Sequence, residues 1–490
     1  MLEKIDGLKK PKSLAILMLG LVVITFLTKY YGTTDIGDYS DTSRYFAGIY
    51  AADIRSSHSY LYGFIHSPLV GLFGNYFVFK ITSLIFLLGI VYSVYQITGK
   101  DRRALVLIVV SPVVWYMAPW INPIQLASLC LLWAYYFMAR YEKTSGIKYA
   151  VYAGIFIGLG AALWDTIVFF GGFLVLAYMF NKKFSHLLIV IIAITMGLLP
   201  RLILDYFIFN FPFFSLLKSF FGTLTNAFFL GRGTTYTSRS INNIIFFALV
   251  FLSIPIYFWH FCTKKAFLKE HKKPLIAIAF SLVLIIINPQ IRYTLAILPV
   301  IIVLIIPLLS ESQWRKQVAF FCFITALFVL PYIVQFHYTF NESTSYDITE
   351  TILHLQSIAI TPYSETQLLK QDLESIEKEY PKQTFLVVGN QDYYQKLAHI
   401  YWGKGITELV SVQDYESWQK NQSTLFEKKF TFIPIINDRR SIWIGGGITT
   451  NPKDTTDYAQ IKYAIALDNY PHQGFSLVKR YTRIALFKRS

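Results

Sequence analysis

Long apolar runs dominate the segment 1–340 of the chain, and short clusters of lysine and arginine separate them. A bilayer core about 30 Å thick needs roughly 20 helical residues to cross it. On this criterion the pattern predicts a polytopic α-helical membrane protein with about eleven spans. The predicted spans lie near residues 13–30, 76–98, 104–119, 123–139, 149–163, 167–180, 187–206, 241–262, 274–288, 293–310 and 317–336.

The cations between the spans predict which side of the membrane each connection faces. Lysine and arginine concentrate in the cytoplasmic loops of membrane proteins. Here they precede the first span and recur in every second connection, as Lys4, Lys9, Lys10, Lys12, Lys100, Arg102, Arg103, Arg140, Lys143, Lys148, Lys182, Lys183, Lys264, Lys265, Lys269, Lys272, Lys273, Arg315 and Lys316. We therefore expect a cytoplasmic N-terminus, outer loops at 32–75 and 207–240, and an extracytoplasmic C-terminal part.

The same rule divides the long apolar segment 149–180 into two helices. Lys148 and Lys182 flank its ends, so a single crossing would leave one of these cations on the outer side. Two shorter crossings keep both cations inside. We therefore predict a helical hairpin with an outer turn at Trp164 and Asp165.

The C-terminal segment 341–490 is more polar and is predicted to be a separate extracytoplasmic α/β domain after the membrane domain 1–340. A strand pattern at 384–390 is followed by a helical pattern at 391–401 and a second strand pattern at 408–412. Strand, helix and strand in succession indicate parallel strands joined by a crossover helix. Further strands are predicted in the apolar runs 430–436, 441–444 and 483–487.

The amino-acid composition excludes several classes of protein. Apolar residues make up 54% of the chain and charged residues 15%, against about 25% charged in ordinary soluble proteins. This excludes a disordered chain, a fibrous repeat and a conventional cytosolic enzyme. The net charge of +16 follows the span boundaries, so we expect contacts with anionic membrane lipids and no nucleic-acid partner. The three cysteines lie in apolar runs, so neither a disulfide framework nor a zinc site is expected.

Three aspartates stand close together at the start of the first outer loop: Asp35, Asp38 and Asp41. A carboxylate at the membrane surface, partly buried and hydrogen-bonded, is suited to remove the proton from an acceptor hydroxyl. The alternative is a solvated loop in which Asp41 caps a helix over residues 42–53. These residues by themselves leave both interpretations open.

The sequence of this loop resembles two motifs of the GT-C superfamily, the polytopic glycosyltransferases that use polyprenyl-phosphate sugars as donors. Thr34–Tyr39, with Tyr60 and Pro68 further on, is similar to the loop motif of its mannosyltransferases, with one additional residue. Asp41–Tyr45 resembles the Asp-Glu-x-Arg-Tyr motif of the aminoarabinose and protein O-mannosyl branches, although Thr42 replaces the glutamate.

The two alignments imply different catalytic bases. Asp38 and Asp35 rank close together as the base, and Asp41 comes third. The same motifs make Tyr39 and Arg44 candidate substrate-binding residues.

A second similarity to the superfamily lies at Asn288–Tyr293, which is followed by Pro299. This stretch resembles the Pro-Arg-Tyr…Pro segment that begins a late helix on the outer side of many GT-C enzymes. The resemblance implies that Arg292 holds the donor phosphate and that Tyr293 lies in the same site. A guanidinium at headgroup level can bind two phosphate oxygens at once. An arginine that only snorkels at a helix end is the alternative.

Further polar residues near the predicted outer ends are candidate substrate contacts: His66, Asp165, Arg201, Arg232 and Arg239. Charges inside a span favour a functional role, but Arg201 and Asp205 are one helical turn apart and can pair with each other. Trp164 beside Asp165 can equally be an interfacial anchor, and the cationic, hydroxyl-rich stretch 232–239 can be a surface loop.

Together the motifs imply an integral membrane glycosyltransferase. A sugar, mannose or a related hexose, would pass from a polyprenyl-phosphate donor to an acceptor hydroxyl of a glycan, lipid or protein on the extracytoplasmic side. One base and no carboxylate nucleophile imply displacement with inversion. A fixed cation at the phosphate makes a cofactor or divalent metal unnecessary. The membrane is expected to be the plasma membrane of a prokaryote or the endoplasmic reticulum of a eukaryote.

Two functions of other classes stay open. A transporter or flippase of lipid-linked sugars would usually show inverted repeats and binding residues at mid-bilayer, and the sequence shows no such repeat. A non-catalytic scaffold could bind envelope proteins through the C-terminal domain. The polar residues gathered near one face of the membrane favour the enzyme.

Overall fold

The computed structural model describes most of the membrane part of the chain and a smaller share of the C-terminal part. The described residues are 5–27, 29–30, 61–73, 75–118, 120, 122–180, 182, 184–209, 211–213, 215–217, 248, 250–287, 291–329, 360–361, 363–381, 383–388, 408–411, 461–467 and 474–490. Between residues 61 and 329 they are almost entirely helical, whereas the main β-sheet lies after residue 383.

Helices lie within each predicted span. They are α1 (Pro11–Leu27), α2 (Leu61–Phe73), α3 (Asn75–Ile97), α4 (Arg102–Val109), α5 (Pro112–Met117), α6 (Ile124–Thr144), α7 (Ile147–Leu163), α8 (Ile167–Met179), α9 (Phe184–Phe209), α10 (Ile256–Cys262), α11 (Lys265–Glu270), α12 (Lys272–Ile287), α13 (Ile291–Thr294), α14 (Leu298–Ile305) and α15 (Glu311–Ile324). A 3-10 turn, Asp6–Lys9, precedes α1, and a π-helical turn, Thr325–Val329, extends α15. The number of complete crossings stays a prediction.

Two of these helices are long and apolar enough to cross a bilayer by length and composition alone, Val78–Ile97 within α3 and Phe184–Phe207 within α9. Large apolar side chains stay exposed along the helices, among them Leu19, Leu176 and Ile192. Water would make such broad apolar exposure unfavourable, whereas lipid tails match it. The surface of the bundle is therefore that of a membrane protein.

The first outer loop differs from the prediction because it contains a helix. Residues 32–75 were expected to form a loop, but α2 occupies Leu61–Phe73 and packs against α3. The thirteen-residue helix is shorter than a full crossing and contains Pro68, so a search for uninterrupted runs of about 20 residues does not find it.

The predicted span 104–119 is also broken into two helices, α4 and α5. Pro112 has no backbone N–H to continue α4, and the hydroxyl of Ser111 caps the new helix by accepting from the Val114 amide at 3.3 Å. Helix α5 ends at Met117 and α6 begins at Ile124, and the described residues Trp120 and Asn122 lie outside both helices.

The predicted hairpin at 149–180 is confirmed as two helices, α7 and α8, joined through Trp164, Asp165 and Thr166. Helix α7 also packs closely on α9. A Cβ atom added at Gly158 would lie 2.8 Å from the Cα of Gly197, and one added at Gly197 would lie 2.8 Å from the Cα of Gly158. Small residues at such positions let two membrane helices approach to backbone contact.

The connections that the sequence assigns to the cytoplasm contact one another. Lys9 pairs with Glu311 and Arg315 with Asp6, while the guanidinium of Arg103 donates to the Leu309 carbonyl at 3.0 Å. Partial burial opposes ionisation of Asp6, but the hydrogen bond and charge of Arg315 outweigh it and hold its pKa below the ordinary value. These contacts join the N-terminus to α4 and α15 at one end of the bundle.

The C-terminal part contains a five-stranded sheet. Its strands are β3 (Thr384–Val388), β4 (Glu408–Ser411), β5 (Tyr463–Leu467), β6 (Phe475–Arg480) and β7 (Ile484–Arg489), in the order β4-β3-β5-β7-β6. β4, β3 and β5 are parallel, whereas β7 is antiparallel to β5 and β6. Strands therefore lie at three predicted positions, and the sequence did not indicate β5 or β6. The predicted elements at 391–401, 430–436 and 441–444 lie outside the described residues, and the boundary at residue 340 stays a prediction.

A helix, α16 (Tyr363–Glu379), covers one face of this sheet and contributes Leu369, Leu373 and Ile376 to its core. The carboxylate of Glu379 at its end accepts hydrogen bonds from Lys479 and Tyr481, and the Lys479 bond is the largest cause of a lowered Glu379 pKa. A short antiparallel pair, β1 (Lys29–Tyr30) with β2 (Ile360–Thr361), joins the chain after α1 to the segment before α16.

We predict that Gly158→Ala and Gly197→Ala each lower the thermal unfolding midpoint in detergent. The added methyl overlaps the facing backbone, and overpacking of this kind destabilises by about 1–3 kcal/mol. Gly172→Ala in α8 is the matched control, because no atom lies within 4 Å of a Cβ added there. Equal midpoints for all three variants would contradict the close approach of α7 and α9.

Candidate functional site

Arg292 and Tyr293 lie together in the short helix α13, where aromatic rings from two other segments meet them. The Arg292 Cζ atom is 5.4 Å from the centre of the Tyr293 ring and 5.7 Å from that of Trp120. Trp164 stacks on Tyr293 with ring centres 5.3 Å apart and planes at 25°. The guanidinium is half-buried and within cation–π range of two rings, which restrains its position.

The turn that carries Trp164 is held by a buried ion pair. Arg201 of α9 is fully buried and pairs through Nη1 with the carboxylate of Asp165, and the same nitrogen donates to the Ala161 carbonyl at 3.2 Å. Both acceptors belong to the α7–α8 hairpin. Arg201 therefore holds the turn of this hairpin, and the turn carries Trp164, which stacks on Tyr293.

The sequence left open a pairing of Arg201 with Asp205, and the structure joins the two through Ser215, which lies between them. The Ser215 hydroxyl accepts from Arg201 Nε at 2.7 Å and donates to Asp205 Oδ2 at 2.7 Å, and the Ser215 amide donates to the same oxygen at 2.8 Å. The carboxylate that pairs directly with Arg201 is that of Asp165, in the α7–α8 hairpin. The result is a buried chain of contacts from Asp205 through Ser215 and Arg201 to Asp165.

His66 lies in α2, where both ring nitrogens contact the protein. Nδ1 is 2.6 Å from the Tyr62 carbonyl oxygen and Nε2 is 2.7 Å from the Thr82 hydroxyl. The carbonyl can only accept, so Nδ1 carries a proton and donates to it, while Nε2 faces the Thr82 hydroxyl, which also lies 2.9 Å from the Val78 carbonyl oxygen. The ring also stacks on Phe79 at 4.5 Å. His66 thus joins α2 to α3, and its role as a substrate contact stays a prediction.

Two polar positions of interest did not stand out in the sequence. Lys80, near the start of α3, is fully buried, and Asn122, between α5 and α6, is 1% exposed. A cation within an apolar span is a signal that could have identified Lys80. Asn122 stands before Pro123, and its sequence context predicts only a helix start.

The remaining predicted site residues lie outside the described part of the chain. They are Asp35, Asp38, Tyr39, Asp41, Arg44, Arg232 and Arg239. Of the predicted set, the structure therefore brings together Asp165, Arg201, Arg292 and Tyr293, while His66 lies between α2 and α3. Among the residues it describes, no group of three histidines, cysteines or carboxylates could hold a metal ion.

Comparison with solved structures identifies the fold. The chain is similar to the crystal structure of ArnT from Cupriavidus metallidurans bound to undecaprenyl phosphate, with a TM-score of 0.58, 13% sequence identity, and 97% of each chain covered. No family model and no curated protein sequence matches the chain. The chain therefore has the fold of this ArnT structure, in agreement with the resemblance to the GT-C superfamily in the loop and Arg292 motifs. This is the fold of an integral membrane protein.

We predict that Arg201→Met strongly lowers the thermal unfolding midpoint in detergent. Removing the guanidinium breaks the ion pair with Asp165 and the Ser215 bridge to the fully buried Asp205, and breaking a buried ion pair destabilises by about 3–5 kcal/mol. Arg201→Lys keeps the charge and should fall between wild type and Arg201→Met.

The matched control for this prediction is Arg140→Met. Arg140 is exposed near the end of α6, where its Nε donates to the Tyr136 hydroxyl at 3.0 Å, so its loss should change the midpoint little. Similar shifts in Arg140→Met and Arg201→Met would show that the buried network does not support the fold.

Proposed function

We propose that the protein is a membrane glycosyltransferase that moves a sugar from a polyprenyl-phosphate donor to an acceptor hydroxyl on the extracytoplasmic side. The observation that supports this most strongly is the fold, which matches over nearly its whole length a protein crystallised with undecaprenyl phosphate. The second support is local. Arg292, which the sequence motif nominates for the phosphate, contacts the rings of Trp120 and Tyr293, and Tyr293 stacks in turn on Trp164.

The donor phosphate would bind Arg292 at the headgroup level of the bilayer, with the polyprenyl tail in the lipid. A guanidinium presents parallel N–H groups that match two phosphate oxygens. As the glycosidic bond breaks, negative charge accumulates on the phosphate and positive charge on the sugar ring. A cation that is already in place stabilises this transition state without reorganisation.

Lys80 is the candidate for a second cation at the phosphate. It lies near the end of α3 that the sequence assigns to the outer side, and its side chain is fully buried in a helix that otherwise consists mostly of apolar residues. An intramembrane ionisable residue near a span end is a functional candidate by default. Two cations would balance a phosphate group better than one.

A first-loop aspartate would complete the reaction as general base, with Asp38 and Asp35 ahead of Asp41. It would take the proton from the acceptor hydroxyl as the oxygen attacks the anomeric carbon from the face opposite the phosphate. One displacement inverts the configuration at that carbon. Mannose or a related hexose is the proposed sugar, the acceptor is a glycan, lipid or protein, and no divalent metal is needed because fixed cations meet the phosphate charge.

We predict that Arg292→Gln weakens use of the donor more than use of the acceptor. Charged hydrogen bonds contribute about 1.5–3 kcal/mol, so the donor KM should rise by about tenfold or more while the acceptor KM changes little. Arg292→Lys keeps the charge but not the paired N–H groups and should be intermediate. Transfer of radiolabelled sugar from a polyprenyl phosphate measures both constants, and equal effects on donor and acceptor would contradict a phosphate role.

We predict that one of Asp35→Asn, Asp38→Asn and Asp41→Asn lowers kcat by about 100-fold or more, since general-base catalysis contributes about that much. The amide keeps the shape of the side chain but cannot take a proton. The same purified variants should retain the wild-type unfolding midpoint and donor binding. Full transfer rates in all three variants would rule out a first-loop carboxylate as the base.

A further inference from the structure

Three connections on the side of the bundle that the sequence assigns to the cytoplasm meet at one carboxylate. Glu142, near the end of α6, accepts a hydrogen bond from Lys273 at 2.6 Å and lies 3.4 Å from the ammonium group of Lys182. Lys273 belongs to the first turn of α12, and Lys182 lies between α8 and α9. Burial opposes ionisation of Glu142, but the hydrogen bond and charge of Lys273 outweigh it and hold the pKa of this carboxyl below its ordinary value. We call these three residues the inner junction.

Aromatic rings restrain both lysines of the inner junction. The Lys182 Nζ atom is 5.3 Å from the centre of the Tyr141 ring, and the Lys273 Nζ atom is 5.8 Å from that of Tyr178. The Tyr141 hydroxyl is 2.5 Å from Nδ1 of His186 in α9. The two lysine side chains are only 25% and 29% exposed. Their ammonium groups are therefore held within cation–π range of rings and do not simply extend into water.

Positive charge is in excess around the inner junction. In the segments 140–148 and 264–273 the acidic residues are Glu142 and Glu270, and the basic residues are Arg140, Lys143, Lys148, Lys264, Lys265, Lys269, Lys272 and Lys273. Lys143 and Lys272 are exposed, and neither forms an ion pair with any residue that the structure describes. Partial burial lowers the pKa of His271, and the charge of Lys143 lowers it further against the opposing effect of Glu270. Lys143 of α6 therefore lies near the start of α12.

Apolar side chains beside the inner junction place it at the boundary between lipid tails and headgroups. Phe180 and Phe184 stand two positions before and after Lys182, and they are 83% and 75% exposed. Such exposure is favourable against lipid and unfavourable in water. Helices α9 and α12 also begin here, at Phe184 and Lys272, and the N-termini of helices carry partial positive charge. An anion with an apolar tail would meet cations, helix N-termini and an apolar surface at one place.

We propose that the inner junction and its neighbours Lys143 and Lys272 form a binding site for the phosphate of an anionic phospholipid of the cytoplasmic leaflet. The two exposed lysines would donate to the phosphate oxygens, while Lys182 and Lys273 add positive charge from restrained positions. Helices α7 and α8 run from this end of the bundle to the turn at Trp164. The site therefore lies at the end opposite to the candidate donor site, and the inference does not depend on the proposed function.

A matched pair of variants separates a site from the general preference for lysine on the cytoplasmic side. If the bilayer only responds to charge, any two exposed lysines on that side contribute equally. A site requires that Lys143→Gln with Lys272→Gln weakens lipid binding more than Lys12→Gln with Lys316→Gln does. Lys12 in α1 and Lys316 in α15 are also exposed and predicted to be cytoplasmic, so both double variants lose the same charge.

The experiment measures equilibrium binding of labelled dioleoylphosphatidylglycerol to the full-length protein in a non-ionic detergent. Dioleoylphosphatidylcholine, which has the same chains and no net charge, is the comparison lipid. Wild type should bind the anionic lipid more tightly. Loss of Lys143 and Lys272 should weaken that binding by about tenfold or more, whereas the control pair should bind as wild type. Glycerol phosphate, the same phosphate chemistry without a tail, should compete poorly.

Each outcome decides for or against the site. Equal affinity of the wild-type protein for the two lipids, or equal losses in the two double variants, would overturn it. Full competition by glycerol phosphate at the concentration of the lipid would show a soluble phosphate ligand and overturn the lipid as occupant. Unfolding midpoints report folding of each variant. If the Lys143 and Lys272 double variant unfolds, the single variants take its place, and normal affinity in both would contradict the proposal.

Discussion

The buried guanidinium of Arg201 joins three parts of the chain that would otherwise be independent. It pairs with Asp165 in the α7–α8 turn, donates to the end of α7, and contacts Ser215 beyond α9, which in turn satisfies Asp205. In a low-dielectric interior such charges persist only when each one is met by a partner. Their pairing fixes the turn that carries Trp164, and thereby the aromatic surroundings of Arg292.

The candidate chemistry is concentrated where the membrane helices are interrupted. Helix α12 ends at Ile287 and α13 begins at Ile291, next to Arg292, and the segment around Asn122 separates α5 from α6. Backbone that leaves a helix within a membrane must find hydrogen bonds from protein or ligand. Arg292, in the short helix α13, and Trp120, between α5 and α6, meet where described helices end.

The chain resembles ArnT much more closely in fold than in sequence. It follows ArnT over 97% of its length with 13% identity, so the backbone path is shared while most side chains are not. A bilayer requires only apolar side chains on lipid-facing positions and small residues at close helix contacts such as Gly158 and Gly197. Many sequences meet these requirements. Specific chemistry is therefore to be sought in the few polar residues near Arg292.

The sequence by itself predicted the membrane class and the two-helix interpretation of 149–180, and a helix lies within each span that it predicted, because hydropathy and flanking cations are local properties of a chain in a bilayer. Its motifs also implied the GT-C fold, and their assignment of the donor phosphate to Arg292 stays a prediction. Only the tertiary structure decided that Arg201 pairs with Asp165 and reaches Asp205 through Ser215, and that Trp120 lies against Arg292. Those contacts join residues far apart in the chain, and they depend on how helices pack, which no local pattern specifies.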